Sequence, residues 1–137
     1  MACPLCVSQN ENIIKSNSLF RVILVDEIPG FVRIILNRHI AEFSDLNFDE
    51  YCEVMKEVYR IEKIIREVLN PDKINIASLG NYVPHLHIHI IPRYKNDAWF
   101  PDSIWSEKHR SYEYKTTKED IEKLLKKVKN ENNSNES

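Results

Sequence analysis

Three of the five histidines in this 137-residue chain fall at alternate positions, His85, His87 and His89, in the stretch "NYVPHLHIHIIPRY". Imidazole, with an ordinary pKa of about 6.5, is largely neutral at cellular pH and can serve as base, metal ligand or nucleophile. A neutral ring nitrogen that attacks phosphorus gives a labile P–N intermediate, which water then opens. That chemistry needs one ring aimed at the phosphate, with its second nitrogen held by an acceptor. It also needs donors for the phosphate oxygens and an acid for the leaving group. If 85–91 is a strand, its side chains alternate between faces, so the three histidines share one face and Leu86, Ile88 and Ile90 the other. Neighbours in the row then lie about 6.6 Å apart and the outer two roughly 13 Å apart. Two neighbours can share a metal, but all three on one ion would strain the strand. The three rings are therefore expected to have different jobs.

Cys3 and Cys6 form a second constellation, a C-x-x-C pair, which alone is weak: it suits a redox pair or a frayed terminus as well as a metal. Three cysteines in all argue against a disulfide framework, and Cys52 reads as a small core residue of a long helix. The composition excludes several function classes. Only Gly30 and Gly80 occur, too few for a P-loop or a dinucleotide fingerprint. A net charge of −2 gives no bulk attraction for nucleic acid, so a phosphate must be bound locally. No basic n-region or apolar run precedes Ile13, and no stretch approaches the roughly 20 apolar residues of a membrane span, so a soluble, cytoplasmic protein is expected.

The elements that must position these residues follow from periodicity. A short extended lead-in covers 12–16. "LFRVILV" (19–25) and "FVRIIL" (31–36) read as strands joined by the Pro-Gly turn in "DEIPG", an antiparallel hairpin. Asn47 with Glu50 forms a capping box, and Tyr51, Val54, Met55, Val58, Ile61, Ile65 and Val68 recur at helical spacing until Asn70-Pro71. A helix over 48–69, roughly 33 Å long, must lay that stripe on one face of a sheet. Strands are expected over 74–79 and 85–92, around the tight loop "GNYVP". Thr116 with Glu119 is expected to cap a short amphipathic helix bearing Ile121, Leu124, Leu125 and Val128. The fold class is α+β: a mainly antiparallel sheet of about five strands, one long helix and a C-terminal helix. Residues 1–129 read as a single domain and 130–137 as a disordered polar tail.

The run His85-Leu86-His87-Ile88-His89-Ile90-Ile91 resembles the signature of the histidine triad (HIT) superfamily. "VDEIPGFVRIILNRHIAEFSDL" (25–46) is similar to that family's hairpin. "HIIPRY" (89–94) resembles the Pro-Arg continuation of its bacterial and diadenosine-hydrolase branches. The resemblance covers residues 3–105. It implies a HIT-like fold and a nucleotidyl hydrolase or transferase acting at the α-phosphate of a nucleotide, with possible homodimerisation through the long helix. By position, His87 matches the family's nucleophile and His89 the histidine that contacts the α-phosphate. Asp26 matches the residue that binds ribose hydroxyls, although it is also a natural turn residue before Pro-Gly. Asn75 lies near the family's phosphate-site amide. Asn81 stands in Gly80-Asn81-Tyr82 where the family has Gly-Gln-Ser or Gly-Gln-Thr; its reach is shorter, which bears on the leaving group.

One branch of the family builds a structural zinc site from a C-x-x-C pair, a histidine after the hairpin and the first motif histidine. Those positions here are Cys3, Cys6, His39 and His85, a Cys₂His₂ set. The alternative is a pair of hydrogen-bonded histidines. The scheme requires no catalytic metal. The expected substrate is a small-molecule nucleotide, a dinucleoside polyphosphate of the diadenosine tetraphosphate kind. An adenosine phosphoramidate, or a nucleotide-binding regulatory module with little turnover, is the alternative; neither nucleic acid nor a membrane is expected as a partner. A metal-dependent oxygenase is disfavoured, because no glutamate follows the motif before Glu107 and glycine turns are scarce. Trp99, Phe100 and Trp105 suit a pocket wall or a packed surface. Arg93 and Lys95 read as polyphosphate attractors or solvated charges, and His109 has no partner visible in the sequence.

Overall fold

A computed structural model of the chain describes residues 3–7 and 10–130. Five strands, β1 (Asn12–Ser16), β2 (Phe20–Val25), β3 (Phe31–Leu36), β4 (Lys73–Ala77) and β5 (His87–Arg93), form one antiparallel sheet in the order β1-β2-β3-β5-β4. Two helices, α1 (Phe48–Leu69) and α2 (Lys118–Lys129), complete an α+β architecture of the expected kind. No helix among the described residues is long and apolar enough to cross a membrane.

Alternation in the strands divides the sheet into two chemically distinct faces. Phe20 and Val22 of β2, Val32, Ile34 and Leu36 of β3, and Ile88 and Ile90 of β5 pack against Val54, Val58, Ile61 and Ile65 of α1. Most are at or near zero exposure, and burying each contributes about 1.5–3 kcal/mol. Leu124 and Val128 of α2 close the end of this core. The other face carries Phe31, Arg33 and Ile35 of β3 with His87, His89 and Ile91 of β5. A smaller cluster of Ile28, Phe31 and Ile91 sits there, covered by Trp99, Ile104 and Tyr114.

The long helix starts and stops where the sequence indicates. The Asn47 Oδ1 accepts the Glu50 amide at 2.8 Å, and Glu50 accepts the Asn47 amide at 3.0 Å. Asn70 takes a left-handed conformation at the C-cap, ahead of Pro71. Gly30 ends the hairpin turn at φ +84°, a left-handed conformation that strains any residue with a Cβ; one built there would also displace the Leu69 side-chain tip.

Several expectations need correction. β5 begins at His87, not at 85, and β4 spans 73–77 rather than 74–79. The second capping box is Thr117 with Asp120, one position later than expected, because it is the Thr117 hydroxyl that accepts the Asp120 amide, at 3.1 Å. Cys52 is exposed rather than in the core: at about 100° per residue it lies roughly 200° round the helix from Val54. Of the expected tail, Asn130 is the C-cap of α2, and 131–137 lie outside the described residues.

Candidate active site and metal centre

The histidine row is divided between two side-chain clusters. His85 precedes β5, where its amide donates to the Val83 carbonyl and Leu86 bridges the Ile40 carbonyl and the Leu36 amide. This turn drives the His85 ring inward to zero exposure. Its Nε2 lies 2.6 Å from the Leu36 carbonyl, which can only accept, so Nε2 carries the proton and Nδ1 holds a lone pair. Around Nδ1 stand Cys3 Sγ at 3.5 Å, Cys6 Sγ at 3.5 Å and His39 Nδ1 at 3.2 Å, with Cys6 Sγ 3.3 Å from His39 Nδ1. All four donor atoms lie within 4.8 Å of one another.

These separations test the fit of a metal. A tetrahedral zinc with bonds of about 2.3 Å to sulfur and about 2.0–2.1 Å to nitrogen has N–N edges of roughly 3.3 Å and S–N edges of roughly 3.5 Å. The His39–His85 edge and the three S–N edges given above are close to these values. The His85–Leu36 hydrogen bond is the outer support that ligating histidines ordinarily have. The cysteine loop is itself anchored: the Cys6 amide donates to the Cys3 carbonyl, and buried Arg21, paired with Glu11, donates to the Leu5 carbonyl at 2.9 Å.

His87 and His89 lie beyond, on the face opposite α1, with rings perpendicular and centroids 4.9 Å apart. The Nδ1–H of His87 donates to the His85 carbonyl at 2.6 Å, which leaves the lone pair on Nε2. Ser78 donates to the carbonyl of His87 at 2.8 Å, fixing the backbone from the other side. Burial lowers the His87 pKa, opposed by the hydrogen bond to His85 and aided by the charge of Arg33. His89 is more deeply set, between Phe31 and Trp105, and its Nδ1 accepts from the Arg33 Nε at 3.3 Å. Burial first, then Arg33 and His87, push its pKa down to about 3, so the ring is neutral with its proton on Nε2.

Asn75 stands on the same face, paired with Ile91 in the register, and its Oδ1 accepts from Arg93 Nη1 at 2.7 Å. That bond occupies the oxygen of the Asn75 amide. Arg93 is neither a polyphosphate attractor nor a solvated charge. It is 2% exposed and holds Asp97, itself 1% exposed, through two bonds of 2.8 and 3.0 Å. Lys95 is exposed. Asp26 and Asn81 are exposed too, on the β2–β3 turn and on the loop before His85, and neither is hydrogen-bonded to a histidine. Trp99 packs on the smaller cluster, Phe100 lies over the Arg93 guanidinium, and Trp105 is half exposed beside His89. His109 has a partner after all, Asp102 at 2.7 Å.

Sequence reasoning missed Arg33, Ser78 and the Arg93–Asp97 pair. A signal existed for the first: Arg33 is the one charge inside an otherwise apolar strand, "FVRIIL". Its significance depends on the register that sets it opposite His89.

Residues 9–96 match the family model described as HIT domain. A bis(5'-adenosyl)-triphosphatase of Dictyostelium discoideum is 31% identical over 121 residues, spanning 80% of this chain and 81% of that protein. An asymmetrical bis(5'-nucleosyl)-tetraphosphatase of Schizosaccharomyces pombe is 33% identical over 85 residues, 58% of this chain but only 47% of its own length. Among solved structures, a histidine triad protein of Bradyrhizobium japonicum superposes with a TM-score of 0.70 at 28% identity, covering 85% of this chain and 91% of that one.

Proposed function

Because the chain belongs to the HIT-domain family, we propose that it hydrolyses dinucleoside polyphosphates at the α-phosphate through a nucleotidyl-His87 intermediate. The observation that carries this reading is the bond from His87 Nδ1–H to the His85 carbonyl, which makes Nε2 the nucleophilic nitrogen. Nε2 forms a bond to the α-phosphorus while the P–O bond to the rest of the polyphosphate breaks, and the leaving phosphate takes the electron pair. Water then attacks the same phosphorus, the P–N bond breaks, and neutral His87 and a nucleoside monophosphate are released. His89, with its proton on Nε2, and the NH₂ group of Asn75 donate to nonbridging oxygens, and their fixed orientation lowers the barrier without reorganisation. Asp26 is proposed for the ribose hydroxyls and Asn81 for the outgoing phosphates.

Cys3, Cys6, His39 and His85 are proposed to hold a structural zinc. Bound there, zinc would fix the cysteine loop and the His85 ring; four protein ligands leave no open position for chemistry. The His85 backbone carries the consequence to the site, since its carbonyl orients His87.

The test is His87→Ala against a panel of diadenosine triphosphate, diadenosine tetraphosphate and adenosine phosphoramidate, read by release of the mononucleotide. Loss of all turnover, together with a nucleotide adduct found on His87 of the wild type by mass spectrometry, is the expected result. Turnover at the wild-type rate in the variant overturns the mechanism. Preference for the phosphoramidate in the panel selects the other hydrolase reading.

A further inference from the structure

The histidine face presents an anion-binding problem that its histidines do not solve. His89 is neutral where it sits, and the donors from His89 and Asn75 carry no formal charge. A polyphosphate entering this face finds hydrogen-bond donors in them but no positive charge to meet its own. One cation is already in place. Arg33 sits on β3 opposite His89 in the register, on the same face, and its Nε donates to His89 Nδ1.

What the other end of Arg33 does is the informative part. Arg21, Arg38, Arg60 and Arg93 are each paired with a carboxylate at 2.7–3.1 Å. Arg33 is half buried, yet among the described residues it has no carboxylate within 4.0 Å, and neither Nη nitrogen has a protein acceptor. Glu27 and Glu11 are the acidic groups whose charge reaches it, and Glu11 is already held by Arg21. Its guanidinium is fixed from both sides, by the hydrogen bond to His89 and by lying 5.6 Å from the centroid of Phe31. Desolvation is the largest influence on it and lowers its pKa, with Glu27 and Glu11 opposing. A planar fork with unused N–H groups, rigidly held, matches phosphate oxygens bidentately.

We infer that Arg33 is a substrate-binding residue of this site, clamping nonbridging oxygens of the α-phosphate beside His89 and supplying the positive charge there. The assignment rests on the reading of the His87 face as the phosphate site. It makes Arg33 do two things at once: Nε sets the tautomer of His89, and the Nη groups hold the phosphate that His89 also touches.

The experiment titrates AMP and adenosine into the full chain and its Arg33→Met and Arg33→Lys variants by calorimetry. Arg33→Met is expected to weaken AMP at least about 10-fold and leave adenosine unchanged, with Arg33→Lys between, because a point charge lacks the fork. Equal affinity of the wild type and Arg33→Met for AMP overturns the assignment. So does an equal loss for AMP and adenosine, which would mark general damage to the pocket. A wild type that binds neither ligand overturns the site reading itself, whereas AMP binding that ignores Arg33 overturns the Arg33 assignment alone. Should Arg33→Met fail to fold, phenylglyoxal modification of wild-type Arg33, mapped by mass spectrometry, is expected to slow with AMP and not with adenosine; no protection by AMP rejects the clamp.

Discussion

Replacing Asp97 with alanine is the substitution whose cost the structure specifies best. The Asp97 carboxylate accepts five N–H groups: Arg93 Nε at 2.8 Å, Arg93 Nη2 at 3.0 Å, and the amides of Tyr94 (3.1 Å), Trp99 (3.1 Å) and Phe100 (2.9 Å). Both members of the ion pair are almost wholly buried. Alanine leaves the guanidinium in the interior without its counter-charge, which costs about 3–5 kcal/mol. That is a large share of the roughly 5–15 kcal/mol that stabilises a domain, and it corresponds to a fall in Tm of roughly 10–20 °C. Urea denaturation of wild type and Asp97→Ala with matched metal content measures it. Burial works against the charged carboxylate, but the bonds from Arg93, Tyr94 and Trp99 hold its pKa below the usual range. Its folded pKa being depressed, its contribution is present above its unfolded pKa of about 3.9 and is lost as pH falls through the folded value, so the deficit of the variant is full near neutrality. Asp97→Ala/Arg93→Met is expected to recover part of the loss, because the orphaned charge goes with its partner. A single-variant cost below about 1 kcal/mol at neutral pH would refute the reasoning that alanine leaves a buried, uncompensated guanidinium.

Metal analysis of carefully prepared protein is expected to find one zinc per chain, and Cys3→Ser/Cys6→Ser none, with a lower Tm; wild type free of zinc ends the structural-zinc proposal. The pH dependence of stability carries a second signature. His89 has a folded pKa of about 3 against roughly 6.5 unfolded, so its contribution is complete above about 6.5 and is lost progressively as pH falls toward 3. Unfolding midpoints measured across that window should decline less steeply in His89→Gln than in wild type; superimposable curves would show that His89 is not held neutral by its surroundings.

The long helix was legible almost to the residue, because its caps are local: Asn47, Glu50 and Asn70 satisfy backbone groups within one turn of themselves. The histidine alternation likewise gave the shared face of His87 and His89, since strand geometry has a period of two. The start of β5 was not legible. The bonds joining Leu86 to Ile40 and Leu36 draw His85 out of the strand, and those partners are about fifty residues away. Arg93 was misread for the same reason: the Asp97 and Asn75 that hold it reveal nothing until the loop and β4 close around it.

The sequence by itself determined which chemistry is present: three imidazoles at period two, a thiol pair with two further histidines, and an apolar stripe to carry the sheet. Only the tertiary structure decided how that chemistry is divided. His85 faces the cysteines because the chain bends before β5, and the lone pair of His87 lies on Nε2 because a backbone carbonyl captures Nδ1. Arg33 stands beside His89 because β3 and β5 pair in one register; a slip of one residue would have turned it to the helix face. Residue types and local periods are properties of the chain, whereas tautomers, desolvation and register belong to contacts between segments far apart in it.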